Sequence, residues 1–103
     1  MNYMAQKSPA AIRKKILPVL KKHRVSRAGL FGSAARGAAK RGSDVDILVQ
    51  LPSSSNLFDF IELKQELEST LSKKVDLVEY SSIKPALKKS ILGSEVRLYE
   101  KAG

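Results

Sequence analysis

The stretch Asp44-Val45-Asp46-Ile47-Leu48-Val49 decides how this chain is read. In an extended strand side chains alternate between faces, so Val45, Ile47 and Val49 share one side. Asp44 and Asp46 share the other, about 7 Å apart along the chain. One side can build a core and the other is ionised. Two carboxylates held together repel, and crowding uncompensated anions at the head of a core strand is costly. A divalent cation is a natural reason for such a pair to exist.

On the N-terminal side of this stretch the charge is one-signed. The first 43 residues contain eleven Lys or Arg and no Asp or Glu, whereas residues 44–103 hold eight bases and ten acids. The asymmetry points to a polyanion near the basic part, whether nucleotide phosphates, nucleic acid or an acidic protein. A solvated basic helix face that aids solubility explains the same charge.

The 103 residues, 43% hydrophobic, predict a single domain spanning 1–103. A chain of this length buries roughly two-thirds of its unfolded surface, enough for one core but not for a second substrate domain. There is no cysteine and a single histidine, so only oxygen ligands remain for a metal. Met1 to Lys7 is short and polar, and no stretch approaches a membrane span, so a soluble cytoplasmic protein is expected.

Periodicity supplies the remaining elements. Ser8-Pro9 reads as a helix start, with Ile12, Ile16, Leu17 and Leu20 at helical spacing and Pro18 expected to kink or end the helix. His23 fits a helix C-terminus. Val25 to Phe31 reads as a strand, Ser33 to Ala39 as a short helix and Asp44 to Leu51 as the second strand. After the loop Pro52 to Ser55, Asn56 and Asp59 predict an N-cap. A helix to about Leu71 follows, with Leu57, Phe60, Ile61, Leu63, Leu67 and Leu71 as its core stripe. Val75 to Tyr80 reads as a third strand, Ile83, Leu87 and Ile91 as the stripe of a last helix ending near Gly93, and Val96 to Tyr99 as a fourth strand. This order predicts a two-layer α/β (α+β) domain with a mixed sheet of about four strands. The short connection between the first two strands makes them antiparallel, and the long crossover from Leu51 to Val75 makes the next pair parallel.

Three pieces carry candidate chemistry. At Gly32-Ser33, glycine allows close backbone approach, a fresh helix N-terminus offers N–H groups, and the serine hydroxyl adds a donor for phosphate oxygens. Alone, the dipeptide is also an ordinary turn, and Asp44/Asp46 is also an ordinary cap or solvated strand end. Asp76, between Val75 and Leu77, is an uncommon acid among strand formers. Three carboxylates on neighbouring strands could hold two Mg²⁺ ions about 3.5 to 4 Å apart.

Together, Phe31-Gly32-Ser33-Ala34-Ala35-Arg36-Gly37, the spacer Ala38 to Gly42, Ser43 to Val49, and Lys74-Val75-Asp76-Leu77-Val78 resemble the DNA polymerase β-type nucleotidyltransferase superfamily. The likeness is to its minimal nucleotidyltransferases and covers nearly the whole chain. The resemblance implies the polymerase β-type fold, with Gly32 and Ser33 holding the β and γ phosphates of ATP and Arg36 reaching phosphate. It also implies that Asp44 and Asp46 bind metal, while Asp76 helps bind one ion and draws the proton from the attacking hydroxyl. The implied reaction is transfer of AMP from ATP to a tyrosine of a small helical partner of the HEPN family, in a toxin–antitoxin arrangement.

Three other functions compete. A catalytically silent antitoxin could act by covering its partner, and a basic nucleic-acid-binding module would use the charge but not the three acids. An RNA-tailing or antibiotic-modifying enzyme would need an acceptor domain. Tyr80 and Tyr99 read as core or rim residues, Lys40 and Arg41 as either phosphate contacts or a solvated turn. Apolar residues on the first or last helix leave a homodimer open.

Overall fold

Ser8 begins the first helix by accepting a hydrogen bond from the Ala11 N–H at 3.2 Å, with Pro9 at the first helical position. The computed structural model describes residues 8–35 and 44–101. In chain order they form helix α1 (Pro9–Lys22), strand β1 (Arg27–Leu30), helix α2 (Gly32–Ala35), strand β2 (Val45–Gln50) and helix α3 (Leu57–Leu71). Strand β3 (Val75–Glu79), a 3₁₀ turn (Tyr80–Ser82), helix α4 (Pro85–Gly93) and strand β4 (Val96–Glu100) complete the order.

The four strands form one mixed sheet in the order β3-β2-β1-β4. β1 and β2 are antiparallel, Ala28 opposite Val49 and Leu30 opposite Ile47, and β2 and β3 are parallel, Asp46 beside Asp76 and Ile47 beside Leu77. The expected topology is therefore realised. Ile12, Ile16 and Leu20 of α1 and Leu63 and Leu67 of α3 are buried in one core with Ala28, Leu30, Val45, Ile47 and Val49. Those odd-numbered residues of β2 face the helices, as strand alternation requires.

Several boundaries and faces differ from the sequence expectation. α1 runs through Pro18 to Lys22. Pro18 removes the N–H that would bond to Lys14, but both residues lie on the exposed side, where water solvates the freed carbonyl. Val25 stays outside β1 because Arg24 takes a left-handed turn (φ 58°) and the Val25 N–H bonds to the Leu20 carbonyl. Asp44 precedes β2 and Tyr80 starts the 3₁₀ turn.

The α3 cap forms as a reciprocal box, with Asn56 and Asp59 exchanging side-chain-to-backbone bonds of 3.0 Å. Its core stripe is shorter than expected: Leu57 and Phe58 in the first turn are 68% and 78% exposed, and Ile61 is exposed as well. The polar links that tie α3 down lie in its second half, where Glu66 meets His23 at 2.8 Å and Glu68 accepts from the Val75 N–H at 2.9 Å. In α4, Leu87 is 52% exposed and no residue is fully buried; Ile83 is buried but precedes the helix. The apolar spacing there marks a partly covered helix, not a core one. The end of the expected helix beyond Ala35, with Arg36, Lys40 and Arg41, lies outside the described residues.

Candidate active site

The face of the sheet away from α1 and α3 gathers the acids. β2 and β3 run parallel with Asp46 and Asp76 in register, so their side chains rise side by side from the same face. Asp44 stands exposed at the entrance to β2, Asp76 is exposed, and Asp46 is partly buried between them. Burial raises the Asp46 pKa above its ordinary value of 3.8, and the negative charges of Asp76 and Asp44 and a hydrogen bond with Asp76 raise it further. Every cause has the same sign: the surroundings of Asp46 disfavour its ionised form.

The turn after β1 closes on this cluster. The Phe31 N–H donates to the Asp46 carbonyl at 3.1 Å, which holds the end of β1 against β2. Gly32 then takes φ +64°, and a Cβ placed on it would lie 2.5 Å from Asp46 Oδ2. Both conformation and space require glycine here. Ser33 follows within α2, whose first residues begin at the carboxylates. The structure thus brings Gly32 and the three acids together, places Ser33 in the adjoining helix, and leaves Arg36 outside the described residues.

Among the described residues, no three Asp, Glu, His or Cys side chains are placed together to hold one metal ion by themselves. Oxygen donors with an incomplete protein shell match the way Mg²⁺ is held, by one or two carboxylates plus water and substrate phosphates.

Two further singled-out residues, His23 and Tyr80, have structural partners. His23 caps the C-terminus of α1 and its Nε2 lies 2.8 Å from Glu66 Oε1. Tyr80 is half-buried and its hydroxyl donates to Glu95; burial and that carboxylate raise its pKa well above the ordinary value. It is a poorly placed acceptor. Glu95 itself, with Arg27 and Lys88, went unmarked in the sequence because β1–β4 pairing and a bulge between Ala28 and Gly29 bring distant residues onto one face. A Cβ on Gly29 would collide with the Glu95 carboxylate, so Gly29 is the sequence mark of that packing.

Residues 14–102 match the family described as Polymerase beta, Nucleotidyltransferase. A Methanocaldococcus jannaschii protein, provisionally named a protein adenylyltransferase, is 49% identical over 82% of this chain and 91% of its own length. Two solved structures share the fold. One is a toxin–antitoxin with AMP-PNP (TM-score 0.74, 30% identity, 86% of this chain and 73% of that one). The other is a tri-AMPylated Shewanella oneidensis HEPN toxin in complex with an MNT antitoxin (TM-score 0.69, 25% identity, 90% and 73%). With the Gly32 turn set against the paired carboxylates of β2 and β3, this chain belongs to the polymerase beta nucleotidyltransferase family.

Proposed function

We propose that this chain uses Mg²⁺ to transfer AMP from ATP to a tyrosine hydroxyl of a helical HEPN partner, and so acts as a protein-adenylylating antitoxin. The observation that carries the reading is Asp46 beside Asp76 with Gly32 packed onto Asp46. Asp46, whose charge is disfavoured by burial and by the neighbouring acids, is suited to a divalent cation. The M. jannaschii relative's name and the AMPylated toxin in the second neighbouring complex support the donor group and the kind of acceptor. AMP-PNP in the first complex supports ATP as the donor.

Asp44, Asp46 and Asp76 would hold the metal ions, which when bound neutralise phosphate charge in the transition state. Gly32 lets the backbone approach the β and γ phosphates, Ser33 and the α2 N-terminus offer donors to them, and Arg36 adds charge from the following segment. Asp76, exposed at the edge strand, accepts the proton of the incoming hydroxyl. The hydroxyl oxygen bonds to the α-phosphorus, the bond from that phosphorus to the bridging oxygen breaks, and pyrophosphate departs. Alignment of the reactants supplies much of the acceleration.

The test is incubation with α-labelled ATP, Mg²⁺ and the candidate helical partner, beside an Asp46→Asn control. Label on the partner, lost in the control and lost when the acceptor tyrosine is changed to Phe, is the expected result. Partner inhibition by both proteins without label in either would replace this reading with the silent antitoxin. Steeply salt-dependent nucleic-acid binding, indifferent to Mg²⁺ and to Asp46, would replace it with the basic module.

A further inference from the structure

The face of the sheet away from α1 and α3 carries a concavity at the opposite end of β2 from the acids. It is a cleft of about 470 Å³ between the end of the sheet, the loop after β2 and α4, with Arg27, Lys88, Ser53, Ser55, Ser81 and Glu79 in its lining. That volume is within the range of small-molecule sites. Gln50, also in the lining, is four residues beyond Asp46 on β2, so the cleft begins roughly 13 Å from the carboxylates at about 3.3 Å per residue.

Its chemistry centres on Arg27. The guanidinium lies 4.3 Å from the centroid of the Tyr80 ring, and Tyr80 is fixed in turn by its hydrogen bond to Glu95. The Glu95 carboxylate also accepts from Arg97 Nε at 3.1 Å and Nη2 at 3.3 Å. Its capacity is therefore largely committed. Glu79, the acid in the cleft lining, accepts from Ser81 Oγ at 3.4 Å. Arg27 Nε is buried and, among the described residues, has no hydrogen-bond acceptor. A rigidly stacked guanidinium with an unmet buried donor is built for a missing acceptor. Lys88 adds a second positive charge and Ser53 and Ser55 add hydroxyl donors, a combination that fits a tetrahedral oxyanion better than a neutral ligand.

We infer that this cleft is an oxyanion site that takes the phosphate of a nucleoside monophosphate, separate from the turn at Gly32. Its position on the same face of the sheet as the carboxylates suits a free nucleotide, which presents a monoester dianion, or one already attached to an acceptor, which presents a diester monoanion; both offer phosphoryl oxygens to the cleft. The site does not depend on the transfer reaction.

The test is two-dimensional NMR of the full chain in EDTA, titrated with AMP, inorganic phosphate or adenosine. AMP should shift the Arg27 Nε–H and the Ser53 to Ser55 amides, adenosine should not, and Arg27→Gln and Lys88→Ala should each weaken AMP binding about tenfold or more. Lys88 lies on an exposed helix surface, so its variant keeps the test valid if Arg27→Gln fails to fold. Asp46→Asn should bind AMP as the wild type does, which separates this site from the adenylylation reading. Phosphate binding as tightly as AMP assigns the site to the phosphate alone; tighter AMP binding adds nucleoside contacts. Shifts confined to Gly32 to Ala35 and Asp44 to Asp46, equal binding of adenosine and AMP, or AMP affinity unchanged in both cleft variants would overturn the inference.

Discussion

The two sides of β2 do opposite things. Val45, Ile47 and Val49 are buried under α1 and α3, in contact with the core, and their burial favours the fold. On the other side Leu48 is buried too, but Asp46 beside Asp76 and near Asp44 disfavours the fold, since each cause acting on Asp46 opposes its charge. One six-residue strand therefore carries both the stability of the domain and its candidate chemistry. The lesson is that destabilising groups are tolerable where the alternating face beneath them is fully packed.

The largest effect is expected on the core side of β2. Ile47→Ala should cost about 2–5 kcal/mol of unfolding free energy, a large part of what a small domain has, as read by urea denaturation. Any loss of transfer in that variant should follow the folded fraction and recover with stabilising osmolyte. On the opposite face, Asp46→Asn should reduce labelled AMP transfer by about 10²-fold or more while the protein remains folded by circular dichroism. Equal losses of fold and activity in both variants would erase the distinction between the two faces.

Smaller effects sharpen it. Gly32→Ala forces an L residue into a left-handed conformation, costing about 1–2 kcal/mol, and sets its Cβ against Asp46. Thermal unfolding should show that cost, and ATP affinity should fall beyond what it explains. The pH dependence is smaller still. Because the folded pKa of Asp46 lies above the ordinary 3.8, protonation stabilises the metal-free fold. That contribution is fully present below the unfolded pKa and is lost as pH rises through the folded one. The Asp46-dependent part of stability should therefore fall with rising pH in that window, and the slope should vanish in Asp46→Asn.

Much of this was legible in the sequence, for physical reasons that also explain the rest. The alternation in Val45 to Val49 told which side of β2 faces the helices, although Leu48 on the acids' side is buried as well, and the Asn56/Asp59 pair told where α3 begins, because both are local rules. Loop length predicted the directions of β1, β2 and β3. The core stripes were less legible: Leu57, Ile61 and Leu87 have helical spacing, but burial depends on which turns the sheet and neighbouring helices cover. At the site, Asp76 stood out as an acid among strand formers, whereas Gly32 and the Asp44/Asp46 pair, each ordinary alone, gained meaning only in combination and through the family resemblance. Arg27, Glu95 and Lys88 did not, since only the β1–β4 pairing and the placement of α4 give them a common surface.

The most direct test of the account is the unfolding free energy of Asp46→Asn against the wild type in metal-free buffer at neutral pH, followed by Mg²⁺ with a non-hydrolysable ATP analogue. Removing the repelled charge should make the variant the more stable protein without metal, and the added ligands should stabilise the wild type far more than the variant. A variant less stable than the wild type without metal, or equal stabilisation of both by Mg²⁺ and nucleotide, would contradict the claim that this face sacrifices stability for metal-assisted chemistry.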